Sequence, residues 1–181
     1  RRALSFAIDR RAYTQTVHRG AAVIGASLAP KPWGVWGLVD KDLNQLPGYG
    51  GAAEGRATAK KLLAEAGFGP GNPLKVEIVT RAIAIYLDFS GFVVSDLKQV
   101  GVEATLKQIE TAQWHPMVTR REFHIGANLT GLGVDDPDAI LFENYTCTAL
   151  RNYTSYCDEG VSRLIDQQSQ ELDAKKRLAL V

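Results

Sequence analysis

The sequence predicts an α/β domain, a mixed sheet flanked by helices, across residues 1–181 as a single lobe. Three observations predict it. Leu74, Val76 and Ile78 alternate with Lys75 and Glu77, and Val102, Ala104 and Leu106 alternate in the same way, as half-buried strands do. Between them, Phe89, Phe92, Val93, Leu97 and Val100 recur at helical spacing over residues 85–100. Strand, helix and strand in that order make a parallel pair joined by a right-handed crossover.

The remaining elements follow in order. Leu4, Ala7, Ile8, Tyr13 and Val17 predict a helix over 3–19, with Arg1, Arg2, Arg10 and Arg11 on its solvated face and Gly20 as its stop. Residues 21–50 read as a long irregular segment broken by Pro30, Pro32, Pro47 and five glycines. Loops of that length are uncommon in a compact domain and are often functional. Trp33 and Trp36 lie in it. They either cap a core beneath the loop or make a ligand-stacking or interdomain contact. Ala59, Leu62, Leu63 and Ala66 predict a helix over 56–66, ended by Gly67. A short helix over 111–119 carries Trp114, Met117 and Val118. Phe123, Ile125, Ala127 and Leu129 alternate into a further strand. That strand runs into the turn Thr130, Gly131, Leu132, Gly133, then into an acidic cluster, Asp135, Asp136 and Asp138. Asp136 before Pro137 marks a turn that starts a helix. Val161, Leu164, Ile165 and Leu172 form the stripe of a last helix.

Composition excludes several functions. The chain is 45% hydrophobic and 23% charged, ordinary for a globular domain, and a net charge of +1 leaves no footprint for nucleic acid or an anionic membrane. No apolar run reaches the roughly 20 residues that cross a bilayer. Arg1 opens within one helical pattern and Val181 closes within another, so a piece truncated at both ends is expected. Cys147 and Cys157 are the two cysteines. Their spacing and turn-like surroundings favour a disulfide over two buried thiols, and a disulfide implies an oxidising compartment.

No nucleophile elbow or phosphate loop is present. Residues 67–71, GFGPG, follow a helix and precede a strand, the wrong order for a dinucleotide site. His18, His115 and His124 lack metal-ligand spacing, and no cofactor or metal is expected. The aspartate cluster does not fit a calcium loop and reads as turn chemistry. Asn128, Asn144 and Asn152 each begin a glycosylation triplet, which we attribute to chance. Ligands of open α/β sheets sit beyond the carboxyl ends of the strands. Arg81 lies there, after residues 74–80. It is either a carboxylate anchor or an exposed arginine paired with Asp88 or water.

Several segments resemble the extracytoplasmic solute-binding proteins of ABC importers, the dipeptide, oligopeptide and nickel-binding class. Residues 1–10, RRALSFAIDR, are similar to the family's VRRALxxAIDR helix. Residues 57–67, ATAKKLLAEAG, resemble its AKKLLAEAG helix, and 96–103, DLKQVGVE, its xLKxxGIxV junction. Asp136, Pro137 and Asp138 resemble its Pro-Asp turn, and residues 152–156 with 161–165 its NYSxY segment. The matches span nearly the whole chain in the family's order.

The resemblance implies most of one lobe of a type II periplasmic-binding-protein-like fold. Two such lobes close on a solute and deliver it to a permease in the cytoplasmic membrane. It implies a monomer, outside the cytoplasm, without catalytic residues. It also places a disulfide near Cys147 and Cys157. Peptide-binding members hold the peptide amine with an aspartate, which falls here at Gly133, and the tryptophan before it falls at Thr130. Arg81 lies close to their arginine for the ligand carboxylate. The expected contacts are therefore Arg81, Thr130, Gly131, Leu132, Gly133, Asp135, Trp114 and Trp36. The rival readings are an enzyme with an acidic site near Asp135 and Asp136, and a sensory or chaperone module reusing the lobe.

Overall fold

A computed structural model describes residues 1–131 and 133–181. They run α1 (Arg2–Ala7), α2 (Arg10–Thr16), α3 (Asp40–Leu43), α4 (Ala52–Glu65), β1 (Lys75–Arg81), α5 (Ala84–Gln99), β2 (Glu103–Ile109), α6 (Thr111–Thr119), β3 (Ile125–Ala127), α7 (Asp138–Tyr145), α8 (Glu159–Gln170) and α9 (Ala174–Leu180). Residues 1–24, 41–118 and 122–129 pack as one compact unit, and 25–40, 119–121 and 130–181 as a second. The span that the sequence reads as one lobe thus contains two units. Among the described residues, no helix is long and apolar enough to cross a membrane.

The first unit is built on the predicted β-α-β crossover. The sheet has strand order β2-β1-β3 and is parallel throughout, because helical crossovers return the chain to the same end of the sheet before each new strand. Ile78 of the central strand pairs with Leu106 on one side and Ile125 on the other. A strand covered on both faces needs a continuous apolar run, and Ile78, Val79 and Thr80 are all buried. The Thr80 hydroxyl is satisfied by the Ala127 carbonyl at 3.0 Å. Val93 and Leu97 of α5, Ala59 and Leu63 of α4, and Ala3 and Ala7 of α1 complete this core. Helices α1 and α4 approach closely at Gly55, where a Cβ would lie 2.6 Å from the Phe6 carbonyl. Gly67 and Gly101, both at φ +84°, end α4 and α5 as the sequence predicts.

The single helix expected over 3–19 is two. Ile8 is extended, and Asp9 caps α2 by accepting from the Ala12 amide at 2.9 Å. The Asp9 amide in turn donates to the buried Asp96 carboxylate at 2.7 Å. Burial holds the Asp96 carboxyl above its usual range, against the lowering effect of that amide. The α4 helix starts four residues before the predicted 56–66, at Ala52.

The second unit holds α7, α8 and α9. The last helix of the sequence reading is also two. Glu171 is extended, and Asp173 caps α9 by accepting from the Lys175 and Lys176 amides. Leu172, placed on the apolar stripe by periodicity, sits in that break and is 99% exposed. Cys147 and Cys157 form a disulfide with an S–S distance of 2.08 Å. Titration of the native protein without reductant should therefore find no thiol; two titratable thiols would contradict the bridge.

Within the disulfide loop, Asn152 is buried and fully committed. Its Nδ2 donates to the carbonyls of Thr146 (3.1 Å) and Tyr156, and its Oδ1 accepts from the Tyr156 amide (3.0 Å) and the Thr154 hydroxyl (3.2 Å). This gives the triplet at Asn152 a structural reason and leaves its amide nitrogen no room for a glycan.

Candidate functional site

Parallel pairing aligns the carboxyl ends of the strands, so Arg81, Ile109 and Ala127 finish at the same edge of the first unit. Arg81 closes β1 there, half-buried. Its Nη2 donates to the Tyr86 hydroxyl and to Asn128 Oδ1, the latter at 3.2 Å. The Tyr86 ring lies 4.2 Å from its Cζ, a cation–π distance. Its Nε is buried without an acceptor among the described residues. Arg81 is thus held by Tyr86, in the first turn of α5, and by Asn128, one residue beyond β3. The expected alternative partner, Asp88, is not among its contacts. Sequence reasoning missed Tyr86 and Asn128. Asn128 falls inside the strand that the sequence predicts through Leu129, whereas β3 ends at Ala127 and leaves Asn128 just beyond it.

Trp114 belongs to the same unit but to its interior. It is 1% exposed on α6, and a Cβ at Gly126 would lie 3.5 Å from its ring. It supports β3 from beneath.

The other expected contacts lie in the second unit. Thr130, Gly131 and Gly133 are exposed; Leu132 lies outside the described residues. Asp135 ties down the 25–40 segment. Its carboxylate accepts from the Val35 amide at 2.7 Å, and its carbonyl accepts from the Trp36 indole at 2.9 Å. The Trp36 ring lies 4.8 Å from Cζ of Arg177 on α9, whereas Trp33 is 66% exposed. The acidic cluster is paired. Arg177 grips Asp136 through both terminal nitrogens, at 2.9 and 2.8 Å, and its Nε donates to Gln168 at 3.0 Å. Asp138 accepts from Ser169 at 2.7 Å and from Gln168. The Arg177 hydrogen bonds hold the Asp136 carboxyl below the usual range, and Asp136 raises the Arg177 guanidinium. Carboxylates so committed serve as a turn clamp rather than an acid–base pair. Among the described residues, no group of three His, Cys, Asp or Glu side chains could hold a metal ion.

Residues 1–152 match the family described as bacterial extracellular solute-binding proteins, family 5, middle region. The chain belongs to this family. Its curated relatives include a probable di/tripeptide-binding protein 5 of Pseudomonas aeruginosa, 27% identical across 99% of this chain and 33% of that protein. Di/tripeptide-binding protein 2 of the same organism is 30% identical across 67% of this chain and 24% of its own length. This family 5 chain therefore spans about a third of the length of the first of these relatives. Its fold matches that of Burkholderia pseudomallei OppA with a TM-score of 0.81, at 23% identity, over 98% of this chain and 35% of that one. The Escherichia coli murein tripeptide-binding protein MppA gives 0.78 at 24%, over 98% and 34%. The matched relatives are named as binding proteins, not enzymes.

Proposed function

We propose that the full-length protein is the solute-binding component of an ABC importer, capturing a small peptide-like solute outside the cytoplasm and passing it to a membrane permease. The family match over residues 1–152 carries this reading. Relatives named for di- and tripeptides support the solute class. Arg81 is the anchor for the solute's carboxylate. A guanidinium fixed at the carboxyl edge of a parallel sheet, part-desolvated and with no carboxylate partner among the described residues, suits that task. The exposed turn residues Thr130, Gly131 and Gly133 offer backbone amides and carbonyls to a solute. Leu132, a further expected contact, lies outside the described residues. Asp135 and Trp36 act by holding the turn's far end, and Trp114 by supporting β3. The protein works as a monomer, by a closed state of its two lobes that the bound solute stabilises.

Calorimetry of the full-length protein with tri-alanine tests this. Arg81→Met should weaken binding about 30-fold or more, since it removes a charged hydrogen-bond donor from a part-buried anchor. N-acetylation of tri-alanine should change affinity little, because Gly133 offers no carboxylate for the amine. Equal binding by wild type and Arg81→Met would refute the assignment of the anchor.

A further inference from the structure

Arg81 presents less of its guanidinium than a free arginine would. Nη2 is turned to the Tyr86 hydroxyl and to Asn128 Oδ1, and Nε is buried. The Tyr86 ring lies against the group 4.2 Å from Cζ. Side-on recognition of a carboxylate uses Nε together with an Nη, and here burial closes the Nε route. Nη1 is the guanidinium nitrogen left unpaired among the described residues. A carboxylate meeting Nη1 alone would leave its second oxygen without a strong donor.

Asn128 can supply that donor. Its Oδ1 is committed to Arg81 at 3.2 Å, which turns the other end of the amide, Nδ2, away from the guanidinium. Nδ2 has no partner among the described residues, and Asn128 is exposed. The residue follows β3 directly, and pairing of Thr80 with Ala127 fixes it beside Arg81 across the strand ends. We infer that Asn128 is a specificity-determining residue: it positions Arg81 through Oδ1 and, with Arg81 Nη1, forms a two-donor site for the solute's terminal carboxylate. Tyr86 is a positioning residue that fixes the plane of the guanidinium. This rests on the reading of Arg81 as the anchor. Two donors side by side select a carboxylate over a carboxamide, whose NH2 would face a donor.

The test uses the full-length protein, with tri-alanine and tri-alanine amide as probes and calorimetry at fixed salt. Wild type should bind the free acid at least about tenfold more tightly than the amide, the value of one hydrogen bond to a charged group. Asn128→Ala should lower affinity for the acid about tenfold and leave the amide nearly unchanged. Asn128→Asp, which keeps the shape but sets a carboxylate against Arg81, should abolish the preference for the acid. In an Arg81→Met background, Asn128→Ala should have little further effect, because the two residues act as a unit. Asn128 is exposed, so melting of both variants should stay near wild type, and the acid-to-amide ratio is a quantity that mere loss of folded protein does not move. An unchanged ratio in both Asn128 variants, with the ratio lost in Arg81→Met, overturns this inference and leaves the anchor standing. An unchanged ratio in Arg81→Met, or no binding of tri-alanine by wild type, overturns the anchor and this inference together.

Discussion

Replacing Asn152 with alanine should destabilise the second unit by about 3 kcal/mol, read as a lowered urea midpoint. The side chain satisfies two carbonyls and one amide of the disulfide loop and receives the Thr154 hydroxyl. It does so while buried, so water cannot replace it at once. Each buried group left unpaired costs about 1–3 kcal/mol, and relaxation of the loop recovers part of the sum. Asn152→Asp should be no milder. It keeps the acceptor but loses both donors, and it sets a charge against the Thr146 and Tyr156 carbonyls. Thr154→Ala, which deletes one bond to Asn152, should cost about 1 kcal/mol or less. Equal midpoints for wild type and Asn152→Ala would show that the disulfide alone holds the loop.

Arg177→Ala should cost about 2–3 kcal/mol at neutral pH, and the loss should shrink in acid. The guanidinium is 17% exposed and joins Asp136, Gln168 and Trp36. Its removal takes the guanidinium away from Asp136 and Gln168 and leaves Asp136 with the Asp138 amide at 3.0 Å. The Asp136 side chain is 39% exposed, so solvent screens the pair and the full value of a buried ion pair does not apply. The pH dependence follows from the direction of the shift. Asp136 titrates lower in the fold than in the unfolded chain. Its stabilisation is therefore complete above the ordinary carboxylate pKa of about 4 and disappears as pH falls through the lower, folded value. The difference between wild type and Arg177→Ala should shrink as pH falls below about 4, leaving the part due to Gln168 and Trp36. A difference between them that is constant from pH 7 to pH 3 would rule out the ion pair as the source.

The same two cases mark how far the sequence could be read. The β-α-β unit was legible because its cues are local: alternation in the strands, helical spacing in 85–100, glycines at the helix ends. The helix at 111–119 was legible for the same reason, with bounds matching Thr111–Thr119. The break between α1 and α2 was not. The apolar spacing continues through it, and the residue that pins the Asp9 amide lies 87 positions away. The break between α8 and α9 carried a local cue in Asp173, which apolar spacing through Leu172 outweighed. The acidic cluster invited a chemical reading because its counter-charge, Arg177, is 41 residues distant. Arg81 stood out by its place at a strand end, whereas Asn128 became its partner only through the register between β1 and β3.

The sequence by itself determined the family, the strand–helix–strand crossover and the position of Arg81 at a strand's carboxyl end, because period, caps and chain order are properties of neighbouring residues. The tertiary structure decided which polar side chains are free and which are committed. Asp135, Asp136, Asp138 and Asn152 are taken up by structure, Trp114 is interior, and Arg81 is left with Asn128 beside it. Those outcomes depend on hydrogen bonds between groups brought together by folding, and one sequence read along its length does not contain them.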